Sequence, residues 1–219
     1  MNRWVQGPIR TAAIWGPYLE MTPSQQTLRG QLRQRRQLLS RSSQHRASFL
    51  VAQHLKHYLP YQRAHRIGVY SATDGEVDLS WLTRDTSKQF YLPVLQECVR
   101  PWKGKGLLFG KTSDRLMSNQ YGIPEPQTKR LLGVSDLDFL LVPLVGFDRS
   151  GQRLGMGGGY YDRTLSALRC WKALPKIGVA HSAQEVDALL VKPWDVQLDG
   201  IVTDNELIST RNLTLGPQH

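Results

Sequence analysis

The 219-residue chain carries 28 Lys and Arg against 18 Asp and Glu, a formal charge of +10, and 40% of its residues are hydrophobic. That apolar share suffices for a packed core, and no run approaches the roughly 20 apolar residues that span a bilayer. The cationic excess favours anionic partners (nucleotides, polyglutamylated cofactors, nucleic acid or acidic membrane surfaces) and does not by itself choose among them. Cys98 and Cys170 are the only cysteines and stand far apart, so a disulfide framework or cysteine metal site is not expected. Two reduced thiols in a cytoplasmic protein fit this pattern.

Residues 1–23 hold Gly7-Pro8, Gly16-Pro17 and Pro23, which interrupt regular structure. No apolar core of 7–15 residues precedes a small-residue cleavage site there, so a secretory signal is not expected and a mobile tail is. Thr22 to Ser24 offer helix-capping residues, and Leu28, Leu32 and Leu39 follow at helical spacing. Ser40 to Ser43 read as a break. Ala47, Leu50, Val51, His54, Leu55 and Tyr58 then mark a second amphipathic helix. His54 and His57 share a face of it, which predicts a partly solvated pair rather than a metal site. From Met21 to Thr73 the chain has nine Lys or Arg and no acid. This segment is either a nucleic-acid face or an anion-gathering rim over a nucleotide site.

Short strands are expected at Ile67 to Tyr70, Gln89 to Val94, Leu107 to Lys111, Phe139 to Val145, Lys176 to Ala180 and Gly200 to Thr203. Helices are expected at Glu76 to Arg84, Tyr160 to Trp171 and Glu185 to Leu190. Alternation of this kind predicts a three-layer α/β/α fold with a mostly parallel central sheet. Ligands in such sheets gather where strand ends meet helix starts. The basic, glycine-rich run Trp102-Lys103-Gly104-Lys105-Gly106 reads as a solvated hairpin. Residues 24–210 are expected to form one domain, with 211–219 as a tail.

The most informative stretch follows the strand at Phe139 to Val145. Gly155, Gly157, Gly158 and Gly159 fall within five residues, just before a helix. Glycines there let backbone N–H groups converge on an anion, because no Cβ blocks the approach. Arg153 stands beside this nest, and Asp162 lies one turn into the helix. Amides, a guanidinium and a metal-competent carboxylate suit a nucleotide polyphosphate with Mg²⁺. Walker A does not fit, since Tyr160-Tyr161 stands where Lys-Ser/Thr is needed, and Tyr160 also breaks the dinucleotide fingerprint. The alternative is a glycine-rich hairpin or close strand–helix packing.

Taken whole, Phe147-Asp148-x-x-Gly151-x-Arg153-Leu154-Gly155-x-Gly157-x-Gly159-Tyr160-Tyr161-Asp162 resembles the signature of the 5-formyltetrahydrofolate cyclo-ligase family. Leu28-Arg29, Glu76-Val77-Asp78, Tyr91-Leu92-Pro93-Val94 and Tyr121-Gly122-Ile123-Pro124-Glu125-Pro126 match in order, and the resemblance covers about residues 24 to 205. It implies an architecture shared with sugar-phosphate isomerases and CoA-transferases. It also implies ATP and Mg²⁺ as co-substrate and metal, and a reduced folate, including polyglutamylated forms, as substrate. A cytoplasmic monomer is expected, without membrane or nucleic-acid partners.

The resemblance also distributes roles. ATP phosphates would meet Arg29, Arg153, and the segment Leu154, Gly155, Met156, Gly157, Gly158, Gly159, Tyr160 and Tyr161. Gln25 stands where the family has a lysine, which removes one charge, and Met156 and Gly158 replace residues that are basic in some members. Arg153 and Tyr160 would serve the reacting groups; Arg153 alternatively pairs with Asp148 across the turn. Ser71, Glu76, Met156 and Tyr160 would contact the folate. A carboxylate such as Glu76 can accept paired N–H donors from a pterin, although a helix-start acid is the plainer reading. Tyr160 and Tyr161 are either ring walls or core aromatics. Asp162 would bind metal, with Asp199 as second ligand and Asp195 or Asp204 as alternatives. Residue patterns leave two rivals: a basic nucleic-acid-binding module, without a recognisable groove-reading motif, and an isomerase or transferase of similar fold.

Overall fold

The computed structural model describes residues 23–95, 106–166 and 174–210. The expectations for most of the amino-terminal tail, the carboxy-terminal tail, both cysteines and residues 102–105 lie outside them. Helix α1 (Pro23–Gln37) opens on a proline, whose missing N–H costs nothing in a first turn, and carries Arg35 and Arg36 in its last turn, where the macrodipole favours cations. Ser40 ends the break by capping α2 (Arg41–Lys56): its hydroxyl accepts from the Ser43 N–H. Ala47, Val51, Ala52 and Leu55 give α2 one buried face. Helix α3 (Leu59–Arg63) follows at once.

Eight strands form the main sheet. In chain order these are β1 (Arg66–Gly68), β2 (Gln89–Val94), β3 (Leu108–Lys111), β6 (Leu132–Gly133), β7 (Phe139–Pro143), β10 (Lys176–Val179), β11 (Gly200–Val202) and β12 (Leu207–Ser209). Their spatial order is β12-β11-β10-β7-β1-β2-β3-β6. The five strands from β11 to β2 run parallel, and antiparallel β12, β3 and β6 complete the edges. Two small antiparallel pairs stand apart: β4 (Leu116–Ser118) with β5 (Pro124–Pro126), and β8 (Gly146–Phe147) with β9 (Arg153–Leu154).

The pleat divides the core between the two faces of the sheet. Phe139 and Leu141 of β7 join Ile67, Phe90 and Ile177 on the side covered by α2, α3 and α4 (Ser80–Thr83). Leu140 and Val142 join Phe109, Ile201 and Leu165, which belongs to α5 (Tyr160–Ser166), on the other. This is the expected three-layer α/β/α arrangement, and strands covered on both faces are apolar throughout rather than alternating. A smaller cluster of Leu32, Val145 and Leu154 joins α1 to the β8–β9 pair.

Backbone packing is tight at Gly178, whose Cβ, if present, would lie 2.7 Å from Ile201 Cδ1 and Leu144 Cδ2 and 2.8 Å from Leu198 Cδ1. Gly178→Ala is therefore expected to cost about 1–3 kcal/mol through overpacking. A lowered urea midpoint at unchanged slope would report it.

Two expected helices differ from the structure. Only Ser80–Thr83 of the segment at Glu76 to Arg84 is helical. Glu76 turns back to accept from the Thr73 N–H, and Asp78 accepts from the Ser80 N–H and hydroxyl, so local side-chain bonds replace the first helical turns. Glu185 to Leu190 is not helical. Its donors are taken elsewhere: Val186 N–H binds Phe147 O and Leu189 N–H binds the Asp148 carboxylate. Of the helix at Tyr160 to Trp171, residues 160–166 are helical and 167–171 lie outside the described residues.

Candidate functional site

The glycine segment lies between β9 and α5. Gly157 and Gly159 have φ of +101° and +64°, a left-handed backbone that side chains rarely adopt, whereas a Cβ at Gly155 would meet open space. Helix α1 reaches this segment through Arg29, whose Nε donates to Gly155 O at 2.5 Å. From the far side Arg163 Nη2 donates to Gly158 O at 2.7 Å, and its guanidinium stacks 5.1 Å from the Tyr160 ring. Arg163 was not singled out by sequence; its position one turn after Gly159 was the available sign. Met156 is exposed, while Leu154 is buried against the α1 contact.

Arg153 does not pair with Asp148. Its Nη1 donates to Val196 O at 2.9 Å and its Nη2 binds the Asp162 carboxylate. Asp148 instead organises its own turn, accepting from Ser150, Gln152 and Leu189. The Arg153 side chain is 4% exposed and that of Asp162 32%, so the pair presents mainly its carboxylate to solvent. Burial pulls the Arg29 guanidinium below its ordinary value, opposed by the charges of Asp162 and Asp195. Those two carboxylates therefore lie within electrostatic reach of one arginine at the glycine segment. Near the start of α1, Gln25 is buried with an unpartnered Oε1.

Asp199 is placed differently. It directly precedes β11 and binds Lys176, the first residue of β10, through that residue's N–H (3.0 Å) and Nζ (3.1 Å). This is the amino-terminal edge of the parallel strands. The turn bearing Glu76 leaves the opposite, carboxy-terminal edge, after β1. Asp204 accepts from Ser182 N–H and Oγ and holds a turn. Of the three aspartates weighed beside Asp162, Asp195 is thus the one that acts on Arg29. Mg²⁺ needs only one or two carboxylates beside phosphate oxygens and water, so the partly exposed Asp162 carboxylate, with Asp195 acting on the same arginine, has the donor chemistry that ion takes. Among the described residues no group of three or more His, Cys, Asp or Glu could hold a metal.

Glu76 is not a helix-start acid. It sits in the turn Thr73–Glu76, accepts from Thr73 N–H (3.1 Å), and is pushed above the ordinary carboxyl range by burial. Ser71, on the same loop, lies 3.4 Å from Pro124 O of β5. Tyr161 lies within electrostatic reach of both Glu76 and Arg153. Its hydroxyl is buried without a partner, and its proton is held by burial and by Glu76, against the charge of Arg153. Tyr160 and Tyr161 also pack against the core cluster beneath α5, so both are core aromatics.

The acid-free segment is not one uninterrupted basic face. Arg29 is turned to Gly155, while Arg33 and the buried Arg36 are turned to Asp74. Arg35, Arg41 and Arg46 remain exposed. No helix among the described residues is long and apolar enough to cross a membrane.

The profile of the 5-formyltetrahydrofolate cyclo-ligase family matches residues 21–204. The 5-formyltetrahydrofolate cyclo-ligase of Escherichia coli (strain K12) is 38% identical over 183 residues, covering 80% of this chain and 98% of that protein. The enzyme of the same name from Haemophilus influenzae is 36% identical over 188 residues, covering 83% and 98%. In structure, the chain resembles 5,10-methenyltetrahydrofolate synthetase of Aquifex aeolicus, with a TM-score of 0.74 at 30% identity over 89% of this chain and 97% of that one. With a signature match through both halves of the site and near-complete coverage of these relatives, the chain belongs to the 5-formyltetrahydrofolate cyclo-ligase family.

Proposed function

We propose that this enzyme closes 5-formyltetrahydrofolate to 5,10-methenyltetrahydrofolate at the expense of ATP, with release of ADP and phosphate. The observation that carries the reading is the meeting of Arg29 with Gly155 O and of Arg153 with Asp162 on either side of the glycine segment, with the charge of Asp195 reaching Arg29 and that of Glu76 reaching Tyr161. The relatives' shared name supports the substrate.

In this reading the formyl oxygen attacks the γ-phosphorus of ATP. An O–P bond forms as the bridging P–O bond breaks and ADP leaves. Nitrogen 10 then adds to the formyl carbon, loses its proton to solvent, and the C–O bond breaks with departure of phosphate. The substrate is its own nucleophile, so the protein has mainly to align and neutralise. Arg29, Arg153 and the glycine-segment amides bind the phosphates, with Gln25 offering a neutral contact nearby. Met156 and Gly158 add no charge, which leaves more of this work to the two arginines. Asp162 and Asp195 would hold Mg²⁺, which supplies neutralisation of the phosphate oxygens when bound. Glu76 orients the pterin, with Ser71, Met156 and Tyr160 bordering it. The partner is thus a reduced folate, including polyglutamylated forms, taken by a monomer in the cytoplasm.

The test is the ultraviolet absorbance of the methenyl product from 5-formyltetrahydrofolate. Product is expected only with ATP and Mg²⁺ together, and formation at equal rate without ATP would refute the scheme.

A further inference from the structure

Among the described residues, Arg36 heads the fully buried side chains by volume, and the reaction scheme above does not use it. It lies on α1, two turns after Arg29, at 0% exposure. Its Nε donates to Asp74 O at 2.8 Å, and its Nη2 to Asp74 Oδ2 at 2.7 Å. Its Nη1 donates to Leu144 O at 3.3 Å and lies 3.7 Å from Glu76 Oε1. One planar guanidinium thus grips the turn Thr73–Glu76 and the chain just ahead of β8, whose partner strand β9 leads into the glycine segment. Burying a charged group so completely is costly unless every donor is used, so a guanidinium here is a poor choice for stability alone.

The turn closes through Glu76 N–H to Thr73 O (2.9 Å) and Thr73 N–H to Glu76 Oε2 (3.1 Å), and its place against the rest of the protein is set from outside. Asp74 and Gly75, its central residues, have φ of +53° and +76°, a left-handed backbone that Asp tolerates and glycine favours. Outside contacts stabilise it: Arg33 and Gln37 also bind the Asp74 carboxylate, and His181 Nε2 lies 3.0 Å from Gly75 O. We propose that Arg36 is a positioning residue for folate recognition, fixing Glu76 through the Asp74–Gly75 turn and setting it against the phosphate-binding segment. This rests on the assignment of Glu76 to the folate.

The charges around Glu76 give the proposal a signed test. Arg36 from α1 favours its ionised form. Asp74 in the same turn opposes it, as do Tyr70 after β1 and Tyr161 on α5 if ionised. Arg33 and His181 act at one remove, on Asp74 and Gly75. Removing Arg36 should therefore make Glu76 harder to ionise, and removing the Asp74 charge should make it easier.

The experiment measures KM for both substrates and the acidic limb of kcat/KM for 5-formyltetrahydrofolate in the full chain. Arg36→Met is expected to raise the folate KM about tenfold, the scale set by losing a hydrogen bond to a charged group, with ATP KM changed less than about twofold. Its acidic limb should move to higher pH, Arg36→Lys should restore the limb with only partial recovery of KM, and Asp74→Asn should move the limb to lower pH. Thermal melts and ATP binding check that each variant is folded. Should Arg36→Met fail to fold, Arg36→Lys and Asp74→Asn decide. Unmoved limbs, or equal losses in folate and ATP KM, overturn the proposal. Glu76→Gln separates the two readings: an unchanged folate KM in that variant removes the assignment of Glu76 itself, while a raised one beside silent Arg36 and Asp74 variants removes only the role of Arg36.

Discussion

Arg153→Ala is expected to lower kcat by about 10²-fold or more, with a smaller effect on the folate KM. The reason lies in its geometry. One face of the guanidinium is anchored on Val196 O and the other holds Asp162, so the group is already oriented before a phosphate arrives. A preorganised cation acts most strongly where charge develops during transfer, and its near-complete burial strengthens that effect. Arg153→Lys should recover only part of the rate, since an ammonium on a flexible stem cannot reproduce the fork that spans Val196 and Asp162. Steady-state kinetics at saturating ATP and Mg²⁺ separates the effects. An unchanged kcat in a folded Arg153→Ala enzyme removes the residue from the mechanism, and an equal loss confined to KM makes it a binding group only.

The parallel strands were legible because they are buried on both faces and so read as apolar runs. Gln89–Val94 matches its expected limits, and the other expected strands differ by a few terminal residues. What escaped was structure made by particular side-chain contacts and short pairings rather than by an apolar pattern. β8 and β9 have two residues each and exist because Gly146 and Phe147 face Leu154 and Arg153 across a turn ordered by Asp148. The Asp148 carboxylate also captures Leu189 N–H, which helps keep Glu185 to Leu190 from forming a helix despite its helical composition. β4 and β5 are exposed or proline-bounded, with no apolar pattern to reveal them.

For the site, the glycine run identified its own neighbourhood, because positive φ and close approach demand that residue type. Partners brought by folding could not be read so directly. The Arg153–Asp162 ion pair joins two residues already singled out, for phosphate and for metal, yet nothing in their spacing says that they meet. Arg36 did leave a sign. Leu28, Leu32, Arg36 and Leu39 fall at i, i+4, i+8 and i+11, so an arginine occupies the apolar stripe of α1. A charge at such a position must be matched inside the protein, here by Asp74, Glu76 and Leu144 O.

The second large expected effect discriminates between aspartates. Asp195→Asn and Asp162→Asn should each raise the Mg²⁺ concentration for half-maximal activity about tenfold or more, since even indirect contacts to a metal carry 10–100-fold in affinity. Asp199→Asn should leave the Mg²⁺ requirement unaltered and instead destabilise the fold by on the order of 3 kcal/mol, because it strands the Lys176 ammonium at a buried edge of the sheet. The sign of each effect follows from position. Asp195 and Asp162 both act on Arg29 beside the glycine segment, whereas Asp199 closes the β10–β11 junction at the other end of the strands. Mg²⁺ titrations of activity and urea unfolding curves, made on all three variants, separate the two kinds of loss. A raised Mg²⁺ requirement in Asp199→Asn with a normal one in Asp195→Asn would reverse the assignment, and would require the strand ends to rearrange when nucleotide binds, since Lys176 now occupies both oxygens of the Asp199 carboxylate.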